Sequence, residues 1–347
     1  MKESFFDRYP DAHEPAKKSE ISIKEQQSLE KSYVNRSFET KSREKLEYVH
    51  IGPENYKEEV SIMYLKGFST NNIASKDFIG GLTDKKTSVF AINNPHGIGS
   101  GSITETQKQA ASEKFGALPE IELRKTAAVQ ELVKHEEIKR IDIVAHSEGA
   151  IYAIIYALMN PGKVRNIILI DPAGMVGEDN RYELIKRATK DTLLQTEKIR
   201  QKLLGIDPRV GKNADNPKKP ISLRIEGHQE NALAKSQAKE FIGALADNPK
   251  RWTEAIGAIA NADIVEALQY LRHDCGIKVG IIHAVDDQTF PIDRIRKNSK
   301  DAMDGSFSTV GTHCTFDQNP DKYIQMVKDL ISGMEMQREK GQLDDFL

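Results

Sequence analysis

One stretch limits what this chain can fold into more than any other. Ile141-Asp142-Ile143-Val144-Ala145 is a short, branched, apolar run that reads as a buried strand. It passes through His146-Ser147-Glu148-Gly149 into helix formers, Ala150-Ile151-Tyr152-Ala153-Ile154-Ile155. A strand, a sharp turn and a helix, with serine at the apex, make the context of a nucleophile elbow. Such a turn holds serine in a strained backbone conformation, so the residues two positions away must be small. Ala145 and Gly149 meet that condition. A serine in an ordinary strand–helix loop would look similar, so its partners decide the matter.

The strands and helices around the stretch alternate. An antiparallel hairpin is expected over 37–51, turning at 41–44, and a third strand over 60–65 ends at Lys66-Gly67-Phe68. A short helix carrying Phe78 and Ile79 should stop near Gly80-Gly81, and a fourth strand covers 88–92. The glycine-rich loop 94–101 lacks the spacing and the following helix of a dinucleotide site, and 102–106 reads as a continuation of the loop. A helix over 120–137 leads into the elbow strand, and another all-apolar strand covers 164–170. All-apolar strands between helices argue for α/β architecture: a mostly parallel central sheet with helices on both faces.

The rhythm breaks at 178–262, where amphipathic helices flank an exposed loop at 205–219 and a further helix covers 232–246. This region is expected to be a helical cap inserted after the sixth strand. The core would then comprise 34–177 and 263–334, with strands over 277–282 and 305–310, a helix over 292–302 and a terminal helix over 321–334. Residues 1–33 read as a loosely docked arm and 335–347 as a charged, frayed tail.

Charge narrows the partners. Lys+Arg total 50 against 52 Asp+Glu, so no basic field exists to hold nucleic acid. No apolar run is long enough for an integral membrane segment. Cys275 and Cys314 form neither a metal spacing nor a disulfide framework, and the charged N-terminus lacks an apolar signal core. The expected location is the cytoplasm. No metal and no cofactor is called for, and the oligomeric state stays open.

Serine chemistry needs a base, a carboxylate to orient it, and N–H donors for an oxyanion. Of nine histidines, only His313 follows a terminal strand in a Gly-x-His loop, while His96 could line a site in the loop after the fourth strand. Asp286 and Asp287 both qualify as the carboxylate, and Asp171 is a third candidate. The backbone N–H of Glu148 and that of Phe68, beside Gly67, are the expected oxyanion donors.

With these residues in place, the chain resembles an α/β-hydrolase-fold serine hydrolase with a helical cap, esterase- or lipase-like, over 34–334. The order Ser147, Asp287, His313 is similar to that family's order. The loop Asn94-Pro95-His96-Gly97-Ile98-Gly99 resembles its Asp-x-x-Gly-x-Gly loop, and Ala284-Val285-Asp286-Asp287-Gln288-Thr289-Phe290-Pro291 resembles its acid loop, which favours Asp287 over Asp286. Three departures, Ala145, Ala284 and Lys66, remove no catalytic group; Lys66 stands where the family usually has a histidine. The resemblance implies hydrolysis of a small, partly apolar acyl substrate such as a carboxylic ester. The same triad would also serve peptide, thioester or carbon–carbon bond hydrolysis, or acyl transfer. A binding protein that kept the fold is the reading from another class.

Overall fold

The structure, a computed structural model, describes residues 34–53, 60–68, 72, 75–84, 86–177, 179–203, 249–299 and 301–344. The arm 1–33, the loop 205–219, the helix 232–246 and the last three residues lie outside the described residues.

Eight strands form one sheet: β1 (Val34–Glu39), β2 (Lys45–Ile51), β3 (Val60–Leu65), β4 (Val89–Asn93), β5 (Arg140–His146), β6 (Val164–Ile170), β7 (Lys278–Ala284) and β8 (Gly305–Thr309). Their order across the sheet is β1-β2-β4-β3-β5-β6-β7-β8. The hairpin β1–β2 joins β4 antiparallel, and every pair from β4 onward is parallel. The parallel strands therefore point their C-terminal ends to one edge, where the loops after β3, β5, β6, β7 and β8 gather.

The period of two along β5 divides the core. Ile141, Ile143 and Ala145 pack in the larger cluster, with helices α2 (Glu105–Phe115), α3 (Glu120–His135), α4 (Gly149–Met159) and α7 (Val265–His273). Val144 faces the opposite cluster, with α1 (Lys76–Leu82) and α10 (Pro320–Asp344). Both faces are covered, which is why β5 and β6 read as continuous apolar runs. Among the described residues, no helix is long and apolar enough to cross a membrane.

Between β6 and β7 the chain leaves the sheet through α5 (Arg181–Leu203) and α6 (Pro249–Asn261) and returns through α7. The face of α6 that carries Ala255 and Ala258 packs with Ile121 and Phe68 of the core. Two short helices, α8 (Ile292–Asn298) and α9 (Thr315–Gln318), follow β7 and β8.

Helix α1 ends at Leu82, beside the stop expected near Gly80-Gly81, with Phe78, Ile79 and Leu82 buried. Three elements differ from the expectation. The segment expected as loop over 102–106 contains the start of α2. Thr104 caps that helix, with Gln107 N–H on its hydroxyl and the Gln107 side chain on its own N–H. Helix α8 ends at Asn298, short of the expected 302. Helix α10 continues past the expected end at 334, because Glu335 and Arg338 bind back to the core. Arg165 bridges Asp142 and Glu335, and Arg338 donates to the Asn166 side chain.

Candidate active site

At the end of β5 the backbone turns sharply, and Ser147 takes a φ of 56°. That is the left-handed region, costly for any residue but glycine. The elbow is pinned on both sides. Ser147 N–H donates to the Ile170 carbonyl at 3.0 Å, and the Ser147 carbonyl accepts from Ala150 and Ala173. Gly149 has no alternative, since a Cβ there would lie 2.2 Å from the Leu65 carbonyl oxygen. Gly67 brings its backbone equally close, because a Cβ on it would lie 2.7 Å from Ser147 Cβ and 3.2 Å from Oγ.

Three side chains from three loops then meet. His313 Nε2 lies 2.8 Å from Ser147 Oγ, and His313 Nδ1 lies 2.8 Å from Asp287 Oδ2. An ionised carboxylate can only accept, so in the neutral imidazole Nδ1 carries the proton and Nε2 faces the serine as acceptor. Asp287 is 2% exposed, and its other oxygen accepts from the N–H groups of Thr289 (2.7 Å) and Phe290 (2.9 Å). The edge of Phe290 packs on the His313 ring.

Asp286 turns elsewhere. It is half-buried, and its N–H donates to the Gly311 carbonyl at 2.9 Å, tying the loop after β7 to the loop after β8. Asp171 lies fully buried near Asp287 and His313 with a φ of 45°. Its Oδ1 accepts from Ala284 N–H at 2.7 Å and lies 3.2 Å from His283 Nδ1. Burial, with Asp287 nearby, pushes the Asp171 carboxyl well above its usual range. Asp171 thus buttresses the loop bearing Asp287 and makes no hydrogen bond to His313.

Burial pulls the His313 imidazolium down. The charge and hydrogen bond of Asp287, with Asp171 and Asp191, outweigh it and raise His313 to about 9. The neighbouring imidazoles behave oppositely. Burial holds His283 down to about 4 and His146 well below its ordinary value. Neutral His146, on the face of β5 opposite Ala145, uses Nε2–H to bind the His313 carbonyl at 3.0 Å while its ring packs on Phe316.

Asp191, Glu122 and Lys125, which sequence reasoning did not single out, and Glu148, His96, Lys66 and Phe68, which it did, complete the surroundings. Asp191, from α5, is 3% exposed; its two oxygens accept from Gln288 N–H (2.8 Å) and His313 N–H (3.1 Å). On the other side of the elbow, Lys125 of α3 binds Glu122 at 3.0 Å and also pairs with the Glu148 side chain, all three buried. Burial, opposed by Lys125, leaves the Glu122 carboxyl raised to about 8. His96 sits in a short 3-10 turn, Pro95–Gly97, where burial and the charges of Arg251 and Lys125 hold it at about 3. Lys66 is buried, and its carbonyl accepts from Tyr152 Oη at 2.8 Å. Phe68 packs edge-on against Trp252 of α6. Of Asp191, Glu122 and Lys125, only the Glu122–Lys125 spacing of three leaves a sequence trace, because it places opposite charges on one helix face.

Two triplets, His146–Asp171–His313 and Asp171–His283–Asp287, hold potential ligand atoms within 4.8 Å of one another. A cation in either would compete with the hydrogen bonds that already engage Asp287, His313 and His146. The donor set fits a proton network better than a metal centre.

No family model matches the sequence, and no curated protein is significantly similar to it. Solved structures are. An esterase from Rhodococcus aligns over 86% of this chain and 99% of its own, at 14% identity and a TM-score of 0.54. A carboxylesterase of the thaumarchaeon Nitrososphaera gargenis aligns over 87% of this chain and 100% of its own, at 16% identity and a TM-score of 0.53. A membrane phospholipase A, a bacterial virulence factor, aligns over 89% of this chain and 88% of its own, at 15% identity and a TM-score of 0.51.

Proposed function

The chain has the α/β-hydrolase fold, and on that premise we propose that it is a serine hydrolase cleaving a carboxylic ester or related small acyl substrate. One observation carries the reading: the unbroken Asp287–His313–Ser147 hydrogen-bond chain, with both links at 2.8 Å and the serine on a strained elbow. The similar folds of an esterase, a carboxylesterase and a phospholipase A support the ester class.

In the mechanism, His313 Nε2 takes the proton from Ser147 Oγ as that oxygen attacks the acyl carbonyl. Asp287 holds the imidazole by Nδ1 and stabilises the imidazolium. The backbone N–H groups of Glu148 and Phe68 receive the oxyanion; the close approach of Gly67 to Ser147 supports that assignment. The leaving alcohol takes the proton from His313. Water, deprotonated by the same nitrogen, then releases the acid from Ser147. No cofactor enters these steps. Residues 178–262 act as a cap, and Phe68 and Trp252 give the acyl pocket an apolar wall.

A fluorophosphonate probe tests the nucleophile. The wild type should label covalently and Ser147→Ala should not; equal labelling of both proteins sinks the assignment. Nitrophenyl esters of increasing chain length then measure the pocket.

A further inference from the structure

The insert reaches the triad with a side chain. Asp191 lies on α5, outside the sheet and its loops, yet its carboxylate spans the two loops that carry the acid and the base. One oxygen holds the N–H of Gln288, the residue after Asp287. The other holds the N–H of His313 itself. Both oxygens accept, as an ionised carboxylate does. Every polar group of His313 is thereby engaged: N–H by Asp191, carbonyl by His146, Nδ1 by Asp287 and Nε2 by Ser147.

We propose that Asp191 is a positioning residue for the triad: it fixes the Asp287 and His313 loops relative to each other and adds a negative charge beside the imidazolium formed during turnover. This rests on the serine-hydrolase reading. Without Asp191, the two loops would still be joined by the Asp286–Gly311 and Val285–Thr309 backbone bonds. Those bonds lie before Asp287 and do not engage the N–H groups of Gln288 and His313, which Asp191 holds. An α-helix is a more rigid support than a loop, and sub-ångström placement of the base sets the rate.

The charges around His313 come from several elements. Asp287 follows β7, Asp171 follows β6 and Asp191 belongs to α5. His283 of β7 and His146 of β5 favour their neutral forms, and burial holds the Cys314 thiol protonated. Lys66, after β3, acts on His146 and Cys314. Asp191 is therefore one of three carboxylates that favour the imidazolium, and the one supplied by the insert.

The test is the rate of fluorophosphonate labelling against pH, which needs no known substrate. Asp191→Asn removes the charge and replaces one acceptor oxygen with a donor. It should slow labelling roughly tenfold to a hundredfold and move the acidic limb of the profile to lower pH. Asp191→Glu restores the charge on a longer stem. It should return the limb to the wild-type position while labelling stays slower than wild type. An Asp191→Asn protein with wild-type rate and limb overturns the proposal. So does a slowed rate with an unmoved limb in Asp191→Asn, which marks a purely structural role. If Asp191→Asn does not fold, Asp191→Glu decides alone: slower labelling on a wild-type limb supports the clamp, and wild-type behaviour in both overturns it. A wild type that never labels defeats the serine reading first, and this inference falls with it.

Discussion

Two buried charge clusters flank the elbow, and they are built from similar parts. On one side a single imidazole, His313, faces Asp287, Asp171 and Asp191. On the other a single ammonium, Lys125, faces Glu122 and Glu148. The difference lies in where the nitrogen points. His313 gives one ring nitrogen to its carboxylate and keeps the other on Ser147 Oγ, where the neutral ring can accept a proton. Lys125 sits between two carboxylates and is 4% exposed, so its charge stays inside the fold, where it ties α3 to Glu148, the residue just before α4. Burying charge against charge makes a reactive base only when one atom of the base is left facing the nucleophile; otherwise it makes a clamp.

The largest effect should come from breaking the reactive cluster. Asp287→Asn would lower kcat on the order of 10³–10⁴-fold at unchanged fold, measured by steady-state kinetics with a nitrophenyl ester and by circular dichroism. Breaking the clamp should give the opposite phenotype. Lys125→Met leaves two buried carboxylates without a cation and should cost about 3 kcal/mol of stability. Denaturant melting would show that loss, while kcat per folded molecule changes by only about twofold, because the ammonium touches no reacting atom. A collapse of kcat in that variant would erase the distinction between the clusters.

The pH dependence separates them further. His313 is raised from 6.5 to about 9, so it binds its proton more tightly folded than unfolded. Its stabilising contribution is complete below 6.5 and is lost as pH rises through about 9, whereas turnover needs the neutral ring and rises over the same interval. Glu122 is raised from 4.5 to about 8, so its contribution is complete below 4.5 and lost as pH rises through about 8. Unfolding free energies of wild type and Glu122→Gln, measured from pH 4 to 9, should diverge in that lower window. Parallel curves would remove Glu122 from the clamp. The smallest effect belongs to Asp286→Asn, whose kcat should stay within about twofold of wild type, since its link to the base loop runs through the backbone N–H. A dead Asp286→Asn would transfer the orienting role away from Asp287.

The legibility of these parts in the sequence follows from the range of the forces behind them. The elbow was readable because strain is local: a left-handed serine demands small neighbours, Ala145 and Gly149, and at Gly149 the Leu65 carbonyl leaves no room for a Cβ. The parallel strands were readable because burial on both faces removes polar alternation from β5 and β6. Strand-end order pointed to Ser147, His313 and a carboxylate at 286 or 287, and only the resemblance of the acid loop favoured Asp287, the residue whose carboxylate meets His313. Thr104 and Gln107 carried a capping signal that is visible in hindsight as a spacing of three. Asp191 was not readable. It sits on an amphipathic helix beside Lys190 and Thr192 as any solvated acid would, and its partners lie about a hundred residues away in sequence. The extension of α10 was hidden for the same reason, because Glu335 meets Arg165 only once the sheet has formed.

The packing of α6 on the loop after β3 has an optical consequence. Trp252 is the only tryptophan in the chain, and it lies against Phe68, whose N–H is assigned to the oxyanion. Indole emission from this protein therefore originates at a single place, against the loop that approaches Ser147. Acylation of Ser147, or an apolar group entering between the insert and the core, changes the surroundings of that one fluorophore. The molecule carries its own label for pre-steady-state work, free of background from any other indole.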